Sequence, residues 1–166
     1  MSTRTALALV ALTLTTLAGC GASTEATPAG PPSSAAAVLT VRDPWVKAAD
    51  TGMTAAFATL VNNTGADVTI ESAASPASPV ELHTMAMKDG AMVMRPKEGG
   101  FVVKAGATHE LKPGGDHLML MQPTGAIKPG DQVQFTLTLA GGGTVGFTAV
   151  AKPFAGAQES YAPGHS

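Results

Sequence analysis

A chain of 166 residues with a formal net charge of −2 holds one domain with a proper core, and has no room for two once its ends are set aside. Its ten Lys and Arg side chains form no basic cluster, which argues against nucleic acid as a partner. A single cysteine excludes an internal disulfide.

Met1–Arg4 supplies a positive charge, and the uncharged run TALALVALTLTTL follows from Thr5 to Leu17. These are the two leading regions of a secretory signal, and the run is too short to span a bilayer comfortably. It ends in Leu17-Ala18-Gly19-Cys20, which resembles the bacterial lipobox, where cleavage before the cysteine leaves it as a lipid-modified first residue. Residues 1–19 are therefore expected to be a lipoprotein signal peptide. Residues 20–36 are small, polar and proline-rich, a flexible tether. A folded domain is expected over 37–154, and a disordered Gly- and Ala-rich tail with a lone His165 over 155–166. Removal of residues 1–19 takes only Arg4 from the charge balance and leaves a net of about −3. The location implied is the cell envelope, on the outer face of the cytoplasmic membrane, held there by lipid.

Within the domain, short alternating or β-branched runs recur: VLTVRD (38–43), TAAFATLVN (54–62), DVTIESA (67–73), VELHTMAM (80–87), AMVM (91–94), FVVKA (101–105), THEL (108–111), HLMLMQ (117–122), QVQFTLTLA (132–140) and TVGFTAV (144–150). Gly- or Pro-bearing turns divide many of them, among them Asn62-Asn63-Thr64-Gly65, Lys88-Asp89-Gly90, Lys112-Pro113-Gly114-Gly115 and Lys128-Pro129-Gly130-Asp131. No run keeps a helical apolar stripe for three turns. The spacing predicts an all-β sandwich or barrel.

Two runs are unusual in their donors. ELHTMAMKDGAMVM (81–94) and HLMLM (117–121) hold two of the four histidines and six of the eight methionines. Asp89-Gly90 between two strand-like runs predicts a two-residue hairpin, so Lys88 should face Ala91, Met87 face Met92, and Met85 face Met94. Alternation then puts His83, Met85, Met87, Met92 and Met94 on one face, with His83 diagonal to Met94. In HLMLM, His117, Met119 and Met121 share a face, while Leu118 and Leu120 point to the core and push the methionines outward. Packing alone explains isolated methionines. Two histidines opening two Met-bearing strands would, on that reading, be buried polar groups without a purpose, so a metal site is favoured.

The donor set selects the metal. Thioether sulfur and neutral imidazole bring no negative charge, which serves Zn²⁺ poorly and suits soft, singly charged Cu(I). Calcium and magnesium lack their clustered carboxylates. A blue-copper electron carrier needs a cysteine thiolate, and Cys20 is taken by the anchor.

Through these residues the chain resembles the PCu(A)C family of periplasmic copper chaperones. That family carries a His, ten residues, a Met, about twenty-one residues, and His-x-Met. Here ten residues separate His83 from Met94, and His117-Leu118-Met119 closes the motif after 22. LHTMAMKDGAMVMRP, AGATHELKPGGDHLMLM and the later KPGD match as well. The extra residue is expected at Gly99-Gly100 in a loop, and His109 stands where the family would have a β-branched residue.

The resemblance implies a cupredoxin-like Greek-key β-sandwich and Cu(I) held near the surface by His83, Met94, His117 and Met119. Met85, Met87, Met92 and Met121 are additional metal-proximal candidates that line the site or pack, Trp45 belongs to the core, and His109 is either a donor behind the ligands or a surface residue. The function implied is delivery of copper to an acceptor protein, a cytochrome c oxidase subunit or an assembly thiol protein, toward the CuA centre. The membrane is the other partner, through the lipid anchor.

Two alternatives stay open: a lipid-anchored immunoglobulin-like binding or adhesion module, and a copper store without delivery. An enzyme is the weakest class, with no Ser/His/Asp spacing and no paired carboxylates. The lipobox gives the first prediction. Cys20→Ser should release or mislocalise the protein, whereas a protein that stays in the membrane fraction unmodified contradicts the anchor.

Overall fold

The computed structural model describes residues 38–154. The expected signal peptide, tether and tail, with Cys20 and His165, lie outside the described residues. Ten strands form: β1 (Leu39–Lys47), β2 (Thr54–Asn62), β3 (Val68–Ala74), β4 (Val80–Lys88), β5 (Ala91–Pro96), β6 (Phe101–Val103), β7 (Thr108–Leu111), β8 (His117–Leu120), β9 (Gln132–Leu139) and β10 (Thr144–Lys152). Each falls on one of the ten runs picked out by alternation. The largest boundary difference is β1, which continues through Asp43-Pro44-Trp45. A register shift between Arg42 and Trp45, with Asp43 at φ 49°, lets the strand carry a proline as a bulge.

The strands connect in the order β5-β4-β8-β2-β1-β10-β9-β3-β6, with β7 also paired to β2. All neighbours are antiparallel except β1 and β10. One apolar core draws on both ends of that path: Leu82 of β4 and Leu118 and Leu120 of β8 share it with Ile70 of β3, Phe101 and Val103 of β6, and Phe135 and Leu137 of β9. This shared core is what a sandwich requires.

Strand β2 positions the site. Its run Thr54–Ala58 is buried on both faces, which a strand achieves only with packed layers on either side. Its first residues pair with β8 (Thr54 with Leu120, Ala56 with Leu118), and its later ones with β7 (Ala58 with Leu111, Val61 with Thr108). Strands β7 and β8 are thus one line of chain along β2, interrupted by the loop 112–116. That loop closes on itself through Lys112 N–H to Asp116 O at 2.8 Å and Gly115 N–H to Lys112 O at 3.0 Å.

Other buried polar groups in this framework are paired. The Asn62 amide donates to the carbonyls of Ala66 at 2.7 Å and Val103 at 3.0 Å, and Thr54 Oγ1 donates to Lys47 O at 2.6 Å. The loop between β5 and β6 holds Gly99 and Gly100, at φ 74° and 76°. A Cβ on Gly100 would collide with the Ile70 carbonyl, whereas one on Gly99 would meet nothing. Both positions disfavour an L side chain by about 1–2 kcal/mol through φ alone. Gly100→Ala should therefore lower the urea midpoint at least twice as far as Gly99→Ala, with the m-value unchanged; equal shifts would contradict the packing of this loop on β3.

Candidate metal centre

The hairpin register places the first half of the donors. Lys88 pairs with Ala91, Met87 with Met92, Met85 with Met94 and His83 with Pro96, and the turn residues Asp89 and Gly90 have φ of 52° and 82°. Both central positions are left-handed, as a type I′ turn requires. The diagonal relation of His83 to Met94 follows. The second half comes from the β4–β8 pair, where His83 stands directly opposite His117 and Glu81 opposite Met119. The two imidazole centroids are 5.9 Å apart.

The hydrogen-bond partners of the rings decide what the nitrogens can do. His117 Nδ1 lies 2.9 Å from the Gly115 carbonyl, an acceptor only, so in the neutral ring the proton sits on Nδ1 and the lone pair is on Nε2. That Nε2 lies 3.3 Å from Met94 Sδ. Two electron-pair donors face each other across a gap that a soft cation would bridge. His83 Nε2 lies 2.8 Å from Glu81 Oε2, so its neutral ring carries the proton there and its lone pair on Nδ1. His83 Nδ1 is buried with no hydrogen-bond partner. An orphaned buried nitrogen costs roughly 1–3 kcal/mol.

The floor under these donors is a second, smaller apolar cluster. Ala55, Phe57 and Met119 are buried in it, and Trp45, Met53, Met94 and Met121 pack against it. The Trp45 ring packs against Phe57 at 4.5 Å between centroids and tilted by 35°, and the Phe57 ring lies 6.3 Å from His117. One expectation is corrected here. Met119 does not point outward: it is 0 % exposed, because β8 is an interior strand and the Trp45–Phe57 pair belongs to the cluster that covers its second face. The two imidazoles are covered, His83 at 5 % and His117 at 1 % exposure, while Met94 beside them is half-buried.

Among the other methionines, Met85 and Met94 are half-buried on adjacent strands and Met121 packs on the small cluster beyond the end of β8. Met87 and Met92 lie at the hairpin tip, 64 % and 52 % exposed. His109 sits away from the centre on β7, stacked at 5.6 Å on Phe101 with Nε2 2.9 Å from Asp116 Oδ2. That ring nitrogen is not aligned for a hydrogen bond, and the close contact sets β7 against the loop that carries Gly115.

Sequence reasoning missed Glu81, Gly115, Phe57 and Met53. Glu81 was legible, since it precedes His83 by two residues and must share its face. Met53 precedes β2 and the Gly115 carbonyl belongs to a loop, so neither carries a periodic signal.

Among the described residues, no group of three His, Cys, Asp or Glu side chains could hold a metal ion. A centre here therefore needs thioether donors, and the residues present fit a soft monovalent ion. The ring assignments are measurable: long-range ¹H–¹⁵N spectra of the metal-free protein should show the Nε2–H tautomer for His83 and the Nδ1–H tautomer for His117. The same tautomer at both would contradict the arrangement.

The comparisons agree with this fold. The copper-bound PCuAC domain of PmoF2 aligns with a TM-score of 0.58 at 18 % identity, over 70 % of this chain and 93 % of its own. Apo-DR1885 from Deinococcus radiodurans aligns with a TM-score of 0.57 at 27 % identity, over 93 % and 98 %. The cupredoxin-like β-sandwich expected from the resemblance is therefore the fold. Among curated proteins, "Putative lipoprotein Lxx21020" of Leifsonia xyli subsp. xyli is 37 % identical over 153 residues, 92 % of each chain. The family described as "Putative lipoprotein LpqE-like" matches residues 39–151, and the chain belongs to this LpqE-like family, with the fold of PCuAC copper domains.

Proposed function

We propose that the protein is an extracytoplasmic, lipid-anchored copper carrier that binds Cu(I) through His83, Met94, His117 and Met119 and passes it to an acceptor protein. The observation that carries this reading is the meeting of His117 Nε2 and Met94 Sδ at 3.3 Å, beside the unpartnered Nδ1 of buried His83. With the His117 proton on Nδ1 against the Gly115 carbonyl, the Nε2 lone pair and the thioether sulfur make a donor pair that suits a soft cation. Cu(I)-DR1885, 28 % identical with a TM-score of 0.52, supports the metal and its oxidation state. The lipoprotein names of the family and of the Leifsonia xyli protein support the anchor at Cys20.

The donors also suit release. None is anionic, so an incoming thiolate displaces them one at a time without separating opposite charges. The recipient is accordingly a protein with a thiolate-rich copper site. Assembly of the CuA centre of cytochrome c oxidase fits that chemistry.

The test is competition for Cu(I) against a chromogenic chelator under reducing conditions. The wild-type protein should bind one equivalent tightly and gain about 4 kcal/mol of stability when free metal exceeds Kd a thousandfold. His83→Ala combined with His117→Ala should abolish that gain, and Met94→Leu or Met119→Leu should weaken retention. Loaded protein mixed with a cysteine-bearing acceptor should lose its copper. A protein that stays copper-free leaves the adhesion module standing, and one that keeps copper against thiolates is a store.

A further inference from the structure

We infer that Met87 and Met92 form a second, solvent-facing Cu(I) site of two thioethers, through which copper reaches and leaves the buried centre. The inference rests on the copper reading above and adds a route to it. Met87 and Met92 pair across the hairpin, and Met85 and Met94 pair two residues deeper on the same face. Directly opposed side chains on such a pair start about 5 Å apart, and successive pairs on one face are separated by about 7 Å along the strands. Met94 Sδ is itself 3.3 Å from His117 Nε2. The four thioethers thus make a ladder whose exposure falls stepwise, from the open tip through the half-buried middle to the covered imidazoles.

Packing does not account for the tip. Met87 and Met92 are among the large apolar side chains most exposed to solvent in the described residues. They also lie on the hairpin that ends the sheet at β5, where a polar or charged residue would protect a free edge. Two flexible thioethers facing one another in water are placed to catch a soft ion at low affinity and let it go. Each step along the ladder exchanges one neutral sulfur for another, and the copper stays Cu(I) throughout, so no electron or proton moves.

The experiment uses the full chain with its methionine methyls labelled, titrated with Cu(I) under reducing conditions, and compares it with Met87→Leu/Met92→Leu. A Met87→Ile/Met92→Ile variant guards against loss of the hairpin, since β-branched residues favour strands. In the wild type, a first equivalent should shift the Met94 and Met119 methyls and a second, weaker one those of Met87 and Met92. Both double variants should lose the second equivalent, keep the first, and load from a chromogenic Cu(I) chelate at least tenfold more slowly. A wild type that binds one equivalent without moving the Met87 and Met92 methyls, or variants that load at the wild-type rate, would overturn the second site and leave the buried centre intact. If the wild type takes up no Cu(I), both readings fall together.

Discussion

Two imidazoles opposed across neighbouring strands, on a face closed by aromatic rings, are the constraint on which the site depends. The register of β4 against β8 brings His83 and His117 together. That register is fixed from the other side of the same strands, where Leu82, Leu118 and Leu120 enter the main core. A slip of one residue would turn every side chain to the wrong face, so the energy that holds the leucines inside also holds the histidines opposite each other. The site needs no separate device to assemble it.

Its cost is visible in the contrast with other buried polar groups. Asn62 and Thr54 are hydrogen-bonded to backbone carbonyls, whereas His83 keeps one nitrogen without a partner. Glu81 on one ring and the Gly115 carbonyl on the other fix where the protons sit, and so fix which nitrogens are left to act as donors. The Gly115 carbonyl is in turn placed by the 112–116 loop, closed by its own backbone bonds and braced by His109 against Asp116. Residues that touch no metal thereby set the geometry of those that would.

Much of this architecture is legible in the sequence. Alternation located all ten strands, because each carries a period-two or β-branched pattern between turn residues. Asp89-Gly90 fixed the hairpin register, because few sequences other than this type place two left-handed residues side by side. Depth was not legible. HLMLM reads as a strand with one apolar face, and only the packing of Phe57 and Trp45 shows that the Met119 side is covered. The run Ala55–Ala58, apolar at consecutive positions, was the one hint that an adjacent strand had two buried faces. Tautomers were illegible for a different reason: Gly115 acts through its backbone, and a carbonyl is present at every position of any sequence.

The split between two apolar clusters explains how such a site can be tuned without endangering the fold. The large core holds residues from both ends of the sheet path, while the small one consists of Ala55, Phe57 and Met119 with their half-buried neighbours. Substitutions of the two methionine donors fall on the small cluster, and the large core retains the burial that stabilises the sandwich. The choice of thioether over thiolate follows the same economy. At the extracytoplasmic location proposed above, a thiolate pair would be drawn into disulfides, whereas methionine would keep a soft sulfur available, with oxidation to the sulfoxide as the remaining hazard. Burying Met119 completely and Met94 partly shields the sulfurs at the proposed centre, and leaves the exposed pair at the hairpin tip as the first to meet an oxidant.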